Sequence, residues 1–176
     1  MIALTGIPTL KTERLVLRPP ASRDVDACIT FYASERARFV GGPSAEHDAW
    51  VIMSRILGHW AMRGFGLWAL TLKGDDTIRC VFGHWKPGTR PEHEIGWSLW
   101  DPTLEGKGYA HEAALACRTH AYDVLGWKTA VSYIAYENDR SVALAKRLGA
   151  WEDPDAPRIE GKEHYVFRHP GPEALA

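Results

Sequence analysis

The sequence predicts an α/β fold, a single domain over residues 1–176 in which a mixed central sheet is flanked by helices. Three observations carry that expectation. The apolar period is helical between Ser22 and Gly64, changes to two from Gly66, and becomes helical again near Ala110. Turn signals at Gly74-Asp75-Asp76 and Pro87-Gly88 divide the middle of the chain into three alternating runs, which read as an antiparallel meander. A helix-like run then leads to another alternating segment, so the last run of the meander and this new strand are expected to lie parallel across a crossover helix. A chain of 176 residues is long enough to close one core, and it contains no internal repeat, linker or low-complexity block.

Thr12-Glu13-Arg14-Leu15-Val16-Leu17-Arg18 alternates polar and apolar residues and stops at Pro19-Pro20, as a first strand should. Ser22 is placed to cap a short helix, with Asp24 and Asp26 at its positive end and Val25, Cys28, Ile29 and Tyr32 as its apolar stripe. After the Gly41-Gly42-Pro43 breaker, Ser44 is placed to cap a second helix with Trp50, Met53, Leu57 and Trp60 at helical spacing, ended by Gly64. The meander follows as Leu67–Leu72, Ile78–Trp85 and His93–Trp100. Ala110, Ala113, Ala114, Cys117, Ala121 and Val124 then recur on one helical face, small enough to let that helix sit close to a sheet. Thr129–Ala135 reads as a strand, Asn138 as the cap of a helix running to Leu148, and Tyr165–Arg168 as a closing strand, with a Pro/Ala-rich tail expected to fray from about residue 170.

Composition narrows the function. The formal net charge is −1 with no dense Lys/Arg block, which argues against a nucleic-acid partner. Cys28, Cys80 and Cys117 are odd in number, far apart and set in apolar runs, the pattern of reduced core thiols in a cytoplasmic protein. Met1-Ile2-Ala3-Leu4 does not open a basic leader with a long apolar stretch, and no run approaches the ~20 apolar residues of a membrane span. No metal is expected, since His111 and His120 are nine positions apart, which separates their helical faces by about 180°. The eight tryptophans read either as bulky core or as the lining of a cleft, with Trp85 and Trp97 joining Tyr133, Tyr136 and Tyr165 as cleft residues by strand position.

The stretch Leu104-Glu105-Gly106-Lys107-Gly108-Tyr109-Ala110 sits between an extended segment and a helix. Two glycines one residue apart allow a bend tight enough for several N–H groups to converge, and the helix start adds free donors and partial positive charge, which suits a phosphate. The same glycines could instead serve only to relieve strain in a tight turn. Two familiar phosphate loops fail on spacing: a dinucleotide fingerprint needs glycine at His111, and a P-loop needs Lys-Ser or Lys-Thr where Tyr109-Ala110 stands.

The loop resembles the acetyl-CoA loop of the Gcn5-related N-acetyltransferases, Gln/Arg-x-x-Gly-x-Gly/Ala, here Glu105-Gly106-Lys107-Gly108-Tyr109-Ala110 preceded by Leu104. With His111-Glu112-Ala113 after it, the opening at residues 12–18, and Asn138-x-x-Ser141 before Lys146-Arg147-Leu148-Gly149-Ala150, the chain resembles the branch of ribosomal-protein alanine N-acetyltransferases, the RimJ/RimL-like enzymes. The resemblance implies a splayed pair of parallel strands, pantetheine held along Trp97, Ser98 and Leu99, and the pyrophosphate on the loop from Glu105 through Gly106, Lys107, Gly108 and Tyr109 to Ala110. It implies acetyl-CoA as co-substrate, and a primary amine, on a small molecule or a protein N-terminus, as acceptor in a ternary complex. Monomer or homodimer are both compatible with it. Glu105 departs from the family's Gln or Arg and sets a carboxylate near the pyrophosphate, unfavourable unless it turns away.

For chemistry the family needs a base for the amine proton and a partner for the leaving thiolate. Glu94 matches a glutamate often assigned as base in the family, and otherwise reads as an outward polar residue of a strand; His84 on the neighbouring strand is the reserve, and His93 points to the opposite face. Asn138 matches a position that contacts the cofactor arm and is equally a helix cap. Where many members place a tyrosine acid this chain has Ala145, so Ser141 is the implied acid, or else a cap. The competing reading is a CoA-binding module of the same fold without catalysis.

Overall fold

The computed structural model describes residues 5–175. The expected first strand is two short ones, β1 (Leu10–Lys11) and β2 (Leu15–Arg18). The meander is β3 (Leu67–Leu72), β4 (Asp75–Trp85) and β5 (Glu94–Leu99), followed by β6 (Val131–Ala135), β7 (Trp151–Glu152) and β8 (His164–Arg168). These eight strands form one sheet in the order β1-β2-β3-β4-β5-β6-β8-β7. Every pairing is antiparallel except β5 with β6, which is parallel as the crossover predicts.

Helices cover both faces. α1 (Val25–Tyr32) and α2 (Glu46–Arg63) pack on one, where Cys28, Phe31, Met53 and Ile56 meet Ala69, Val81 and Trp100. α3 (Tyr109–Asp123) lies on the other, against Leu15, Leu17, Trp68, Leu70, Cys80, Phe82 and Ile95, with α4 (Asp139–Arg147) beside it. The period-two alternation along β3 and β4 explains this division, since neighbouring residues point to opposite faces. Ala113, Ala114, Cys117 and Ala121 are at most 1 % exposed, so the small stripe does seat α3 closely on the sheet. Burial raises the Cys28, Cys80 and Cys117 thiols, and all three are free. Among the described residues no helix is long and apolar enough to cross a membrane.

Several local expectations are corrected. The first helix is entered through a 3-10 turn, Ser22–Asp24, capped at Ala21, and α2 is capped at Ala45 while the Ser44 N–H donates to Tyr32 O. The buried stripe of α2 runs through Ala49, Met53, Ile56 and Trp60, leaving Trp50 57 % exposed, because the helix is rotated by about one residue from the predicted face. Val124 is likewise 68 % exposed, since α3 has ended by then. Beyond Pro170, where fraying is predicted, the chain makes a 3-10 turn, Pro172–Ala174, and the Tyr122 hydroxyl donates to Pro170 O at 2.9 Å.

Asp24 is not merely a helix-end charge. It is 1 % exposed, accepts from both Arg18 Nη1 (2.8 Å) and Arg18 Nη2 (2.7 Å), and takes the Ala21 N–H at 2.8 Å. The pair joins the end of β2 to the start of α1.

Two buried histidines tie other parts of the core together. His84 donates from Nε2 to Cys117 O at 2.9 Å, and burial holds its imidazole down at about 3. His169, also pushed down to about 3 by burial, meets Ser132 Oγ at 3.0 Å. Both fold neutral and would be protonated in the unfolded chain below about 6.5, so each contributes stability present above 6.5 and lost as pH falls toward 3. We expect a loss of about 1.4 kcal/mol per histidine per pH unit below that point. Glu94, raised to about 7 from 4.5, acts in the opposite sense between those two values. Urea midpoints of a Glu94→Gln background from pH 7 to 5 check this, and a flat profile would contradict it.

Candidate active site

β5 and β6 meet only at their beginnings. Their single register pair is Glu94 with Val131, reinforced by Val131 N–H to His93 O (2.9 Å) and Ser132 Oγ–H to Ile95 O (2.6 Å). Since the Ser132 proton is committed to Ile95, the 3.0 Å contact with His169 is a bond donated by the imidazole. This closed end is therefore pinned by side chains as well as backbone. Beyond it the strands diverge. His93 and Ile95 turn their carbonyls toward β6, so by alternation Trp97 and Leu99 turn their backbone groups into the gap.

The gap opens into a cleft of about 770 Å³. Trp97, Ser98 and Leu99 form one wall, Asn138, Ser141 and Leu144 another, and Glu105, Gly106, Gly108 and Ala110 its far end. Gly106 and Gly108 adopt φ of +73° and +80°, a region that disfavours any side chain, and Gly108 is the N-cap of α3. The two-glycine loop and the start of α3 thus border the cleft. Lys107 and Tyr109 are absent from its lining: the Lys107 carbonyl accepts from Arg14 Nη1 at 3.0 Å, and the Tyr109 ring lies under the Arg14 guanidinium, 4.3 Å from its centroid.

Asn138 caps α4, its Oδ1 accepting from the Ser141 N–H at 3.3 Å, which leaves Nδ2 to donate elsewhere. The indole of Trp97 crosses the gap and donates from Nε1 to Ser141 Oγ at 3.1 Å. A hydroxyl that accepts such a bond is a better donor in turn. Ser98 is tied back by Trp100 Nε1 at 3.2 Å, and Leu99 O by Arg36 Nη2 at 3.2 Å. Ala145 is fully buried against Ile134 and Phe167 and reaches no cleft.

Glu94 stands at the closed end of the splay, apart from the residues lining the cleft, and is 7 % exposed. Burial pushes its carboxyl up to about 7, against the pull of the Arg90 guanidinium and the Tyr133 N–H. Arg90 Nε lies 2.9 Å from Oε2 but out of line, and neither atom makes a hydrogen bond. A carboxylate titrating near neutrality is suited to taking a proton. The reserve, His84, is fully buried beneath α3 and bonded to its backbone, so it cannot serve the cleft.

Glu105 is turned aside and paired. Its Oε1 accepts from Arg36 Nη2 (2.6 Å) and Arg140 Nη1 (2.8 Å), so two cations stand beside the one carboxylate. Arg36 comes from a 3-10 turn, Glu35–Ala37, and with Arg38, Phe39 and Val40 forms a wall of the cleft that sequence reasoning missed. The signal was there in the basic pair Arg36 and Arg38 just ahead of the glycine breaker. Only tertiary contact places it near residue 105.

Residues 14–150 match the family profile described as an acetyltransferase (GNAT) domain. The chain is 38 % identical to an acetyltransferase of Agrobacterium tumefaciens of known structure, with a TM-score of 0.87 over 96 % of this chain and 98 % of that one. It is 25 % identical over 145 residues to the uncharacterized N-acetyltransferase YnaD of Bacillus subtilis, covering 80 % of this chain and 81 % of YnaD. The ribosomal L7/L12 alpha-N-protein acetyltransferase RimL shares the fold, with a TM-score of 0.70 at 17 % identity over 92 % of each chain.

Proposed function

Because the chain belongs to the GNAT acetyltransferase family, we propose that it is one catalytic domain moving acetyl from acetyl-CoA directly to a primary amine within a ternary complex. The observation that carries this reading is the β5–β6 pair, joined at Glu94 and Val131 and open beyond them into a cleft that leads to the two-glycine loop. The loop amides and the start of α3 take the pyrophosphate, with Arg36 and Arg140 offsetting Glu105. The backbone of Trp97 and Leu99 and the Asn138 amide hold the pantetheine arm.

The neutral amine attacks the thioester carbonyl carbon; a C–N bond forms, the C–S bond breaks, and the amine proton passes through water to Glu94, which stands apart from the cleft lining. The Ser141 hydroxyl, polarised by Trp97, hydrogen-bonds the departing sulfur and supplies its proton, regained from solvent. Acceptors include small amines and protein N-termini, and RimL, which by its name acts on an α-amino group of a ribosomal protein, puts N-terminal peptides first in the panel.

The test is CoA-thiol release with acetyl-CoA and a panel of amines and N-terminal peptides, with mass spectrometry of the product. One acetylated amine formed with equimolar thiol is the expected result. Tight acetyl-CoA binding without turnover on any acceptor would replace this reading with a CoA-binding module.

A further inference from the structure

Two segments that lie 98 residues apart, the Thr12-Glu13-Arg14 opening and Glu112 in the first turn of α3, are one hydrogen-bonded unit. Glu112 Oε1 accepts from Thr12 Oγ1 at 2.5 Å and from the Arg14 N–H at 2.9 Å, while Oε2 takes Arg14 Nε at 2.6 Å. The rest of the Arg14 fork faces the loop. Nη1 donates to Lys107 O at 3.0 Å, the guanidinium covers the Tyr109 ring, and Nη2 lies 3.4 Å from where a Cβ on Gly108 would stand.

The peptide between Lys107 and Gly108 is planar and trans, so its C=O and N–H point in opposite directions. Drawing the Lys107 carbonyl toward Arg14 therefore aims the Gly108 N–H the other way. Gly106 and Gly108 line the cleft and Lys107 does not, which is the arrangement this orientation produces. Gly108 on one side of that peptide, and Gly106 one residue before Lys107, leave its plane free to rotate unless something holds it. A Cβ at Gly106 would meet nothing within 4 Å, so packing does not hold it there.

We infer that Arg14 is a positioning residue for acyl-CoA binding: clamped by Glu112, it fixes the Lys107–Gly108 peptide so that the Gly108 N–H is presented to the pyrophosphate. The inference rests on the proposed acetyl-CoA site and adds to it a device outside the loop. Because Glu112 neutralises the guanidinium, Arg14 supplies direction and not net charge. Its planar fork also matters, since one ammonium cannot meet both Glu112 and the Lys107 carbonyl with the same geometry.

The experiment compares wild type, Arg14→Lys and Arg14→Met by calorimetric titration with CoA, steady-state kinetics, thermal melting and ¹⁵N amide spectra without ligand. Arg14→Lys is expected to keep Tm close to wild type, weaken CoA binding by about tenfold and raise KM for acetyl-CoA to match, with kcat at saturation within about twofold, as expected for loss of one charge-assisted bond. The amide resonances of Gly106 and Gly108 should move while those of the distant sheet stay. Arg14→Met should weaken binding at least as much and lower Tm as well. CoA affinity unchanged in Arg14→Lys, or amide shifts spread evenly over the protein, would overturn the positioning role while leaving the acetyl-CoA site intact. Absence of CoA binding by the wild type would overturn both.

Discussion

Glu94→Gln is expected to lower kcat by about 10²–10⁴-fold, the usual contribution of a positioned general base, with KM for acetyl-CoA close to wild type. The pH dependence should change with it. In the wild type the basic form of Glu94 accumulates as pH rises through about 7, so kcat should climb across that range and level off above it. Gln keeps the shape but cannot accept a proton, and the rising limb should vanish. The variant should hold or raise Tm at pH 8, because it removes a buried charge whose folded pKa lies above its ordinary 4.5. An intact pH limb with unchanged kcat would remove Glu94 from the mechanism; loss of activity together with a fall in Tm would assign it a structural role.

The largest effect on stability is expected from Arg18→Met. Asp24 would be left with a buried carboxylate stripped of both guanidinium bonds, and breaking one side of such a pair costs about 3–5 kcal/mol. Arg18 also donates to Asp76 Oδ1 (2.6 Å), Asp76 O (2.9 Å) and Pro19 O (3.1 Å), so the β3–β4 turn region is loosened at the same time. Adding Asp24→Leu should recover part of the loss, since the double replacement leaves no unpaired charge. Urea unfolding of the two singles and the double decides it. Additive losses with no recovery would show that the pair itself is not the source of the stability.

The fold was largely legible from the sequence because local patterns encode it. Alternation gave β3, β4 and β5, glycine gave the end of α2 at Gly64 with φ +73°, and the helix between two strands gave the parallel β5–β6 pair. Faces were less legible than elements. Trp50 was assigned to the core of α2 on spacing alone, yet Ala49 takes that place, because a small residue allows closer packing where α2 meets α1. Polar residues were least legible. Arg18 and Asp24 read as a strand end and a helix-end charge, and neither alone announces a buried pair.

Glu105 marks the division most clearly. As a residue it is an acid in a phosphate loop, and its sign alone argues against the site. The structure gives it Arg36 and Arg140, residues 69 and 35 positions away, and the local charge becomes cationic. The sequence by itself determined the order of the elements and the two-glycine bend, because those depend on backbone freedom and on periodicity along the chain. Only the tertiary structure decided which polar groups find partners: Glu112 with Arg14, Ser141 with Trp97, and Glu94 with Arg90. Those pairings depend on distance and desolvation between segments far apart in the chain, quantities that no local pattern contains.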